Sequence, residues 1–360
     1  MSRISVDVAI VGCGVIGLAA AERLVGHGLS VVAVDEAGIG RGASGTSAGL
    51  VRAFDPSSGP TAGWAIEGLE HYLRRGRLGN WPAVREDGAL TLVGRAGLAD
   101  ARDAVAALQA AGHKAELLGA DEIAARFPAL AVFKDLAGVY EPRAGWLPAA
   151  QTVAAMLRDA GPGLRVLRTR AVAVLVADRR VQGVETSSGT VRAGAVLLAA
   201  GVGTSTLAAS AGVRLPLRTR AIGYTLFELA SGAVPTPLPT VVDATTGAWL
   251  RRWDGGGPGT VMAGLPSDRT GVPEQVRPSA DPAETERVRG VLRDRFPALI
   301  DARPVGGLTA YDAMADGPGA VIALPTPRGL VTATGWNGGG FRIAPAVAAR
   351  AVDRILELLA

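Results

Sequence analysis

The sequence predicts an α/β fold, in which a Rossmann-type nucleotide-binding domain is joined to a second, α+β domain built on a discontinuous antiparallel sheet. Three observations lead to this prediction. Residues 6–35 read as a strand, a glycine turn, a helix and a second strand. The chain ends with two short strand patterns and a helix pattern over 344–359. The segments between these ends hold β-like runs broken by Pro and Gly.

The order of these patterns predicts how the chain is divided. A length of 360 residues suits about two domains. We expect residues 1–80, 147–216 and 304–360 to form the nucleotide-binding domain. We expect residues 81–146 and 217–303 to form the substrate-binding domain, with a Pro- and Asp-rich surface excursion over 266–283.

Composition excludes several classes of function. All but two of the 37 basic residues are arginine and form no dense block, which argues against nucleic-acid binding despite the net charge of +4. Cys13 is the only cysteine and the three histidines are scattered, so we expect no internal disulfide and no metal site. No uninterrupted apolar run predicts a membrane span, and the first strand begins too early for a signal peptide, so we expect a cytoplasmic protein.

The N-terminal glycine pattern predicts a dinucleotide site. Gly12, Gly14 and Gly17 stand as G-x-G-x-x-G between the first strand and the first helix. Gly12 permits the turn, Gly14 lets the backbone approach a pyrophosphate, and Gly17 lets the helix pack on the strand. Asp35 ends the second strand, where a carboxylate can accept a ribose hydroxyl. The alternative is a plain glycine-rich turn between a strand and a helix.

Three separated segments carry a resemblance to a known family. After the Rossmann unit, residues 41–49 read RGASGTSAG, residues 196–205 read VLLAAGVGTS and residues 335–345 read GWNGGGFRIAP. In order and spacing they resemble the glycine oxidase and monomeric sarcosine oxidase branch of the D-amino-acid-oxidase-like flavoproteins, across nearly the whole chain. The resemblance implies that the dinucleotide is FAD and not NAD, and that the first domain binds it.

The resemblance also implies which residues bind FAD. Ser44 and Ser47 would donate to phosphate or ribitol oxygens, and Val172 would clamp the adenine through its backbone. The helix that follows Gly338–Gly340 would stabilise negative charge on the reduced flavin. A flexible linker and a mobile loop are the alternatives for the two glycine-rich segments. The expected FAD-binding residues are Gly12, Gly14, Val15, Ile16, Gly17, Asp35, Glu36, Arg41, Ala43, Ser44, Ser47, Ala48, Gly49, Leu50, Val172, Ala200, Gly201, Gly338, Gly339, Gly340, Phe341, Arg342 and Ile343.

The substrate end follows from the same resemblance. Arg342 and Arg52 match basic positions that hold the substrate carboxylate, a role that suits two guanidinium groups. Tyr311 matches a polar pocket position and Trp249 an aromatic lid, and Arg251 shares the face of Trp249 by strand periodicity. Structural or surface arginines and ordinary packing are the alternatives for all five residues.

Three departures from the family pattern shape the prediction. Thr309 stands where sarcosine oxidases attach flavin to cysteine, so we expect noncovalent FAD. Met262 replaces the lysine that promotes oxygen reactivity, and loss of this cation should slow oxygen reduction. Pro266 replaces a nearby histidine. The pocket character given by Met262, Pro266 and Trp249 favours a larger and more hydrophobic amine than glycine.

The resemblance implies an FAD-dependent oxidase of an amino acid or N-substituted glycine. Hydride transfer from the C–N carbon to flavin N5 would give an imine that water hydrolyses, while O2 is reduced to H2O2. One alternative is a dehydrogenase that passes electrons to a quinone or another flavoprotein. Another is a flavin-binding subunit with little activity without a partner. No membrane or nucleic-acid partner is expected, and a homo-oligomer is compatible with the sequence.

Overall fold

The computed structural model describes residues 3–56, 62–271, 279–317 and 319–360, so residues 272–278 of the expected surface excursion lie outside the described residues. The predicted α/β fold is confirmed. The helices are α1 (Val15–Gly26), α2 (Ala62–Arg77), α3 (Leu98–Ala110), α4 (Ala120–Arg126), α5 (Ala149–Ala160), α6 (Thr204–Ser210), α7 (Pro282–Leu292) and α8 (Gly340–Leu359). Short 3-10 turns lie at Arg95–Gly97, Gly161–Gly163, Gly201–Gly203 and Pro297–Leu299.

The strands form two large sheets and one small pair. In chain order they are β1 (Arg3–Val11), β2 (Val31–Asp35), β3 (Leu50–Val51), β4 (Ala89–Gly94), β5 (Glu116–Gly119), β6 (Leu136–Glu141), β7 (Gly145–Trp146), β8 (Leu164–Arg168), β9 (Ala171–Ala177), β10 (Arg180–Thr186), β11 (Gly189–Leu198), β12 (Leu217–Glu228), β13 (Thr240–Asp243), β14 (Trp249–Arg252), β15 (Thr260–Gly264), β16 (Arg303–Ala315), β17 (Ala320–Ala323) and β18 (Leu330–Thr334).

The first sheet contains the predicted Rossmann unit. Its strand order is β17-β18-β11-β1-β2-β8, and the hairpin of β9 and β10 adds to β11. The strands from β18 to β8 are parallel, so their carboxyl ends meet at one edge. Helix α1 packs against α5 and α8 over one face of this sheet. A nucleotide site is expected at such an edge, outside the carboxyl ends of the strands.

The second sheet is largely antiparallel, in the order β16-β12-β15-β14-β13-β4-β6-β5, with one parallel pair between β13 and β4. Strand β16 pairs with β12 along its whole length. The expected domain boundary after residue 303 would separate β16 from this sheet. We therefore propose a boundary after Ala315, and the division into two domains otherwise stays a prediction.

Helix α8 begins four residues earlier than the apolar pattern predicts. It starts at Gly340 instead of residue 344, and Pro345 lies inside its second turn. Proline has no N–H to donate, so the carbonyl four residues before it loses its helical partner. The early start brings residues 340–343 into the first turn of the helix, directly after the glycine cluster.

Candidate functional site

A cavity of about 1500 Å³ extends from the carboxyl ends of β1 and β2 to the face of the second sheet. Ordinary ligand pockets measure roughly 300–1,000 Å³, so this one suits a large cofactor together with a substrate. Its walls come from the turn after β1, the loop before β3, strands β12 and β16, and the start of α8.

The predicted glycine turn closes one end of this cavity. Gly12 has a φ of +109°, and a Cβ atom there would lie 2.3 Å from the Ala199 carbonyl oxygen. A Cβ atom at Gly14 would lie 2.8 Å from Oγ of Ser44, and one at Gly17 would lie 2.0 Å from the Gly12 carbonyl oxygen. Larger residues are excluded at all three positions, although Gly17 itself packs behind the turn and does not line the cavity.

Asp35 holds the turn from the end of β2. Its two carboxylate oxygens accept hydrogen bonds from the backbone N–H groups of Cys13 and Gly38, each over 2.8 Å. A carboxylate has room for further donors, so these bonds are compatible with a ribose hydroxyl. Burial, with a smaller contribution from the Asp35 charge, raises the pKa of the Cys13 thiol to about 12, which keeps this cysteine unreactive.

The loop before β3 is fixed on both sides. Ser44 accepts a hydrogen bond from the Val15 N–H over 3.0 Å, and its own hydroxyl hydrogen is left to donate. Ser47 accepts from the Gly49 N–H over 3.1 Å. Gly49 has a φ of +69°, and a Cβ atom there would lie 1.9 Å from the Leu147 carbonyl oxygen, so only glycine fits this position. Gly49 shapes the loop but does not itself line the cavity.

Most of the expected FAD-binding residues lie together around this cavity. Besides Gly17 and Gly49, every one of them contributes to its lining. The lining set is Gly12, Gly14, Val15, Ile16, Asp35, Glu36, Arg41, Ala43, Ser44, Ser47, Ala48, Leu50, Val172, Ala200, Gly201, Gly338, Gly339, Gly340, Phe341, Arg342 and Ile343.

The turn before α8 contains two residues in the left-handed backbone conformation. Asn337 and Gly338 have φ values of +52° and +87°. The Gly338 N–H donates to Oδ2 of Asp312 over 2.8 Å, which ties this turn to β16. Among the residues that the structure describes, no side chain caps the helix that follows, and the positive N-terminal end of this helix faces the cavity.

Two residues of α2 support the first turn of α8 from behind. The Tyr72 hydroxyl donates to the Phe341 carbonyl over 2.7 Å, and the two rings stack with centroids 5.5 Å apart. This is the carbonyl that Pro345 leaves without a helical donor. A Cβ atom at Gly68 would lie 2.1 Å from the Arg342 carbonyl oxygen, so only glycine permits this approach of the two helices.

Arg52, Asp55 and Arg342 form the charged end of the cavity. Nη2 of Arg342 lies 2.5 Å from Oδ2 of Asp55, and Nη1 of Arg342 donates to the Phe54 carbonyl over 3.3 Å. No hydrogen bond or ion pair joins Arg52 to the residues that the structure describes, and its Nε atom is buried. Burial, together with the charge of Arg342, lowers the pKa of the Arg52 guanidinium to about 10.

A buried carboxylate fixes the segment that carries these groups. Oε1 of Glu141 accepts from the Ala53 N–H over 2.7 Å, and Oε2 accepts from the Phe54 N–H over 3.1 Å. Burial raises the pKa of the Glu141 carboxyl, while the two amides and the charges of Arg52 and Arg342 act in the opposite direction. Glu141 does not line the cavity, so its role is to hold this segment in place.

The second sheet contributes an apolar and aromatic wall. Trp249 lies over Gly264, where a Cβ atom would come within 2.4 Å of the indole ring. Burial raises the pKa of the Tyr224 phenol, which therefore remains protonated and can donate a hydrogen bond. The wall consists of Ile222, Tyr224, Val242, Trp249, Leu265, Pro266, Leu308, Ala310 and Tyr311.

Three residues that the sequence analysis singled out, Arg251, Met262 and Thr309, do not line the large cavity. Arg251 is buried, donates from Nε to the Ala48 carbonyl over 2.8 Å, and lies 3.9 Å from the centre of the Trp146 ring. Met262 is buried beside it on β15. Thr309 lies on a smaller neighbouring cavity and donates to the Ser279 carbonyl. We therefore leave Arg251 and Met262 out of the proposed catalytic group.

Among the residues that line the cavity, sequence reasoning missed the polar and aromatic residues Asp55, Tyr224, Trp336 and Arg220. Nε1 of Trp336 and Nε of Arg220 are buried without a partner among the described residues. The period-two pattern of β12 places Arg220 and Tyr224 on one face and could have indicated both. No local pattern indicates Asp55, because its partner Arg342 is far away in sequence.

Other kinds of site are not found in the part of the chain that the structure describes. Over these residues, no group of His, Cys, Asp and Glu side chains is arranged to hold a metal ion. Over the same residues, no helix combines the length and the apolar character needed to cross a bilayer.

Comparisons with known proteins agree with this geometry. A family model described as FAD dependent oxidoreductase matches residues 7–354. Among solved structures, L-proline dehydrogenase from P. horikoshii matches with a TM-score of 0.87 and 18% identity, over 99% of this chain and 94% of that one. Glycine oxidase from Geobacillus kaustophilus gives 0.82 and 21%, over 98% and 95%. Iminodiacetate oxidase from Chelativorans sp. BNC1 gives 0.81 and 20%, over 97% and 95%. No curated protein sequence matches.

The cavity fits FAD by its own features. The glycine turn leaves a cradle that a Cβ atom would fill, and the amides at the start of α1 and α8 point to it. The buried N–H donors of Trp336 and Arg220 have no acceptor among the described residues, and an oxygen of bound FAD would supply one. FAD is the cofactor expected for this cavity, and the predicted cofactor agrees with the family description.

Proposed function

The chain belongs to the FAD dependent oxidoreductase family, and on that premise we propose that it oxidises the C–N bond of an amino acid or N-substituted glycine. Three similar structures support this substrate class, since the names of those proteins give proline, glycine and iminodiacetate as the compounds on which they act. Each of these compounds carries a carboxylate beside an amine. Bound FAD supplies an acceptor for the hydride that leaves the carbon of the C–N bond.

The observation that carries the proposal is the state of Arg52. It lines the cavity, it is half-buried, and it has no ion-pair partner in the part of the chain that the structure describes. A largely buried guanidinium that has no hydrogen-bond or ion-pair partner among the described residues is unfavourable on its own and binds a carboxylate strongly. We propose that Arg52 is the group that receives the substrate carboxylate.

Arg342 has a different part in this proposal from the one the sequence suggests. Its Nη2 atom is engaged by Asp55, and its Nε atom is buried without a partner among the described residues. It therefore contributes positive charge to the site, while Arg52 makes the direct contact. With the carboxylate held at Arg52, the rest of the substrate extends toward the wall of the second sheet. This places the amine in the space between α8 and Trp249.

The wall itself supports an apolar substituent on the substrate. Trp249, Tyr311 and Leu265 line it with apolar and aromatic surface. The preference for a larger amine than glycine therefore rests on these residues and not on Met262, which is buried behind them. We propose a substrate whose side chain or N-substituent is hydrophobic.

We also propose that FAD is held without a covalent bond. Cys13 is the only cysteine of the chain, and its thiol is buried in the glycine turn with a pKa raised to about 12. Thr309, at the position where the resemblance implies attachment, lines a separate small cavity. A denatured sample should therefore release all of its flavin into the supernatant.

The electron acceptor has two candidates. Oxygen is the first. A quinone or another flavoprotein is the second, because one similar structure is that of a dehydrogenase. The lysine expected to assist oxygen is absent, since Met262 is buried at that position. Arg220 lines the cavity as another cation, with its Nε atom unpartnered among the described residues, and it is the group we propose for oxygen reduction.

The proposal is tested by anaerobic mixing of the purified holoenzyme with glycine, proline, sarcosine and longer N-alkylglycines. Bleaching of the flavin by one of these compounds is the expected result, and rapid recolouring with peroxide on admission of air identifies an oxidase. Slow recolouring in air identifies the dehydrogenase. Bleaching by none of them would contradict the proposed substrate class and favour a subunit that needs a partner.

A further inference from the structure

Asp55 sits where a substrate carboxylate would otherwise bind Arg342. We propose that Asp55 is a specificity-determining residue, which limits the site to substrates with a single carboxylate by occupying the Arg342 guanidinium. This inference rests on the proposed function, because it takes Arg52 as the receptor of the substrate carboxylate. The proposed function leaves open how many carboxylates the substrate carries, and this inference limits the number to one.

The pair of Asp55 and Arg342 is part of the cavity wall. Both residues line the cavity, and their side chains are only 8% and 11% exposed. Oδ2 of Asp55 lies 2.5 Å from Nη2 of Arg342, so the two groups form a charge-assisted hydrogen bond. Of the two arginines at this end, Arg342 therefore has a carboxylate partner from the protein, whereas Arg52 has no ion-pair partner among the described residues.

The segment that carries Asp55 is held in place by its neighbours. The N–H groups of Ala53 and Phe54 are bound by Glu141, and the Phe54 carbonyl accepts from Nη1 of Arg342. These contacts fix the backbone next to Asp55. The Asp55 carboxylate therefore meets Arg342 from a fixed backbone position, which supports a role in selection.

A second substrate carboxylate would find no position in which its negative charge is balanced. At Arg342 it would meet the charge of Asp55, and close like charges in a desolvated site repel strongly. Against the wall of Trp249, Leu265 and Pro266 it would lose its hydration without gaining a hydrogen bond. Each alternative disfavours a dicarboxylate.

Arg220, a further arginine that lines the cavity, also has a carboxylate of the protein nearby. Arg220 on β12 lies directly opposite Asp312 on β16 in the strand register, and the charge of Arg220 lowers the pKa of this buried carboxyl against the effect of burial. Arg220 therefore already faces a carboxylate. This leaves Arg52 as the receptor for one carboxylate at the substrate end.

The test compares matched probes in titrations of the holoenzyme, followed by the change in flavin absorbance. Benzoate carries one carboxylate, isophthalate carries two, and 3-nitrobenzoate has nearly the shape of isophthalate with a single charge. We expect benzoate and 3-nitrobenzoate to bind the wild-type protein similarly and isophthalate to bind about tenfold more weakly or worse. Asp55→Asn should free Arg342 and reduce this preference about tenfold, whereas Asp55→Glu should keep it.

Two results would overturn the inference. One is isophthalate binding to wild type as tightly as 3-nitrobenzoate, which decides the matter even if Asp55→Asn fails to hold FAD. The other is an unchanged ratio of the two dissociation constants in a folded, FAD-containing Asp55→Asn protein. Failure of the proposed function has a different signature, since wild type would then bind none of the probes and no amino acid would bleach its flavin.

Discussion

The Tyr72 hydroxyl donates its hydrogen bond to the carbonyl of Phe341, over 2.7 Å, in the first turn of the helix that faces the cavity. The carbonyl needs this outside donor because the residue four positions later is Pro345. A side chain from α2 thus completes the backbone hydrogen bonding of α8 at the place where the cofactor is expected. The contact therefore explains how Pro345 is tolerated in α8, and it fixes α2 against the end of α8 that faces the cavity.

The first prediction concerns this hydrogen bond. Tyr72→Phe keeps the stacked ring but leaves the buried Phe341 carbonyl without a donor. We expect the free energy of unfolding to fall by about 1–3 kcal/mol, measured by urea denaturation. In a Pro345→Ala background the new N–H can bind the same carbonyl, so the loss caused by Tyr72→Phe should shrink by about 1 kcal/mol. Equal losses in both backgrounds would refute this role.

The second prediction concerns the glycine turn. Gly12→Ala places a Cβ atom 2.3 Å from the Ala199 carbonyl oxygen at a φ of +109°. We expect a loss of about 2 kcal/mol or more in stability and a protein that no longer keeps FAD through gel filtration. Gly26→Ala, at the end of α1, meets nothing within 4 Å and serves as the matched control, with full FAD content. A Gly12→Ala protein that keeps its FAD and has normal stability would contradict the proposed role of Gly12 in the turn.

The third prediction concerns the effect of pH on stability. Burial, then the charges of Arg74, Arg23 and Arg75, lowers the pKa of His71 to about 3 from its ordinary value of 6.5. Its neutral imidazole stabilises the fold fully above pH 6.5, and this contribution is lost as the pH falls toward 3, because only the unfolded chain takes up the proton. Below pH 6 the loss should approach about 1.4 kcal/mol per pH unit.

The measurement for His71 is urea unfolding between pH 7 and pH 5. His71→Phe keeps an aromatic ring beside Tyr72 and Trp81 but removes the titrating group, so its stability should depend less steeply on pH than that of wild type. His27 is exposed at the end of α1, and His27→Gln should follow wild type. Parallel curves for wild type and His71→Phe would rule out the assignment.

The sequence allowed the nucleotide-binding part of the fold to be predicted well, because its signals are local. The strand, the turn at Gly12 and the helix α1 are adjacent in sequence, and each follows from steric or periodic patterns. Strand β16 was not predicted, since glycines at 306 and 307 and Asp312 interrupt its apolar alternation. It forms only because β12 pairs with it along its length.

The substrate end was less predictable because its contacts are distant in sequence. Arg52 and Arg342 were both expected to bind a carboxylate, yet only the folded chain shows that Asp55 engages Arg342. Strand periodicity puts Trp249 and Arg251 on the same side of β14. It could not show that the Arg251 guanidinium turns away to bind the Ala48 carbonyl.

The central claim is that the carboxylate of an amine substrate binds Arg52 while FAD accepts the hydride. The most direct measurement is anaerobic stopped-flow reduction of the flavin in wild type and in Arg52→Met, over a range of concentrations of the amino acid that bleaches wild type. We expect the concentration for half-maximal reduction to rise about a hundredfold in Arg52→Met, with unchanged FAD content. An unchanged concentration dependence in Arg52→Met would contradict the account.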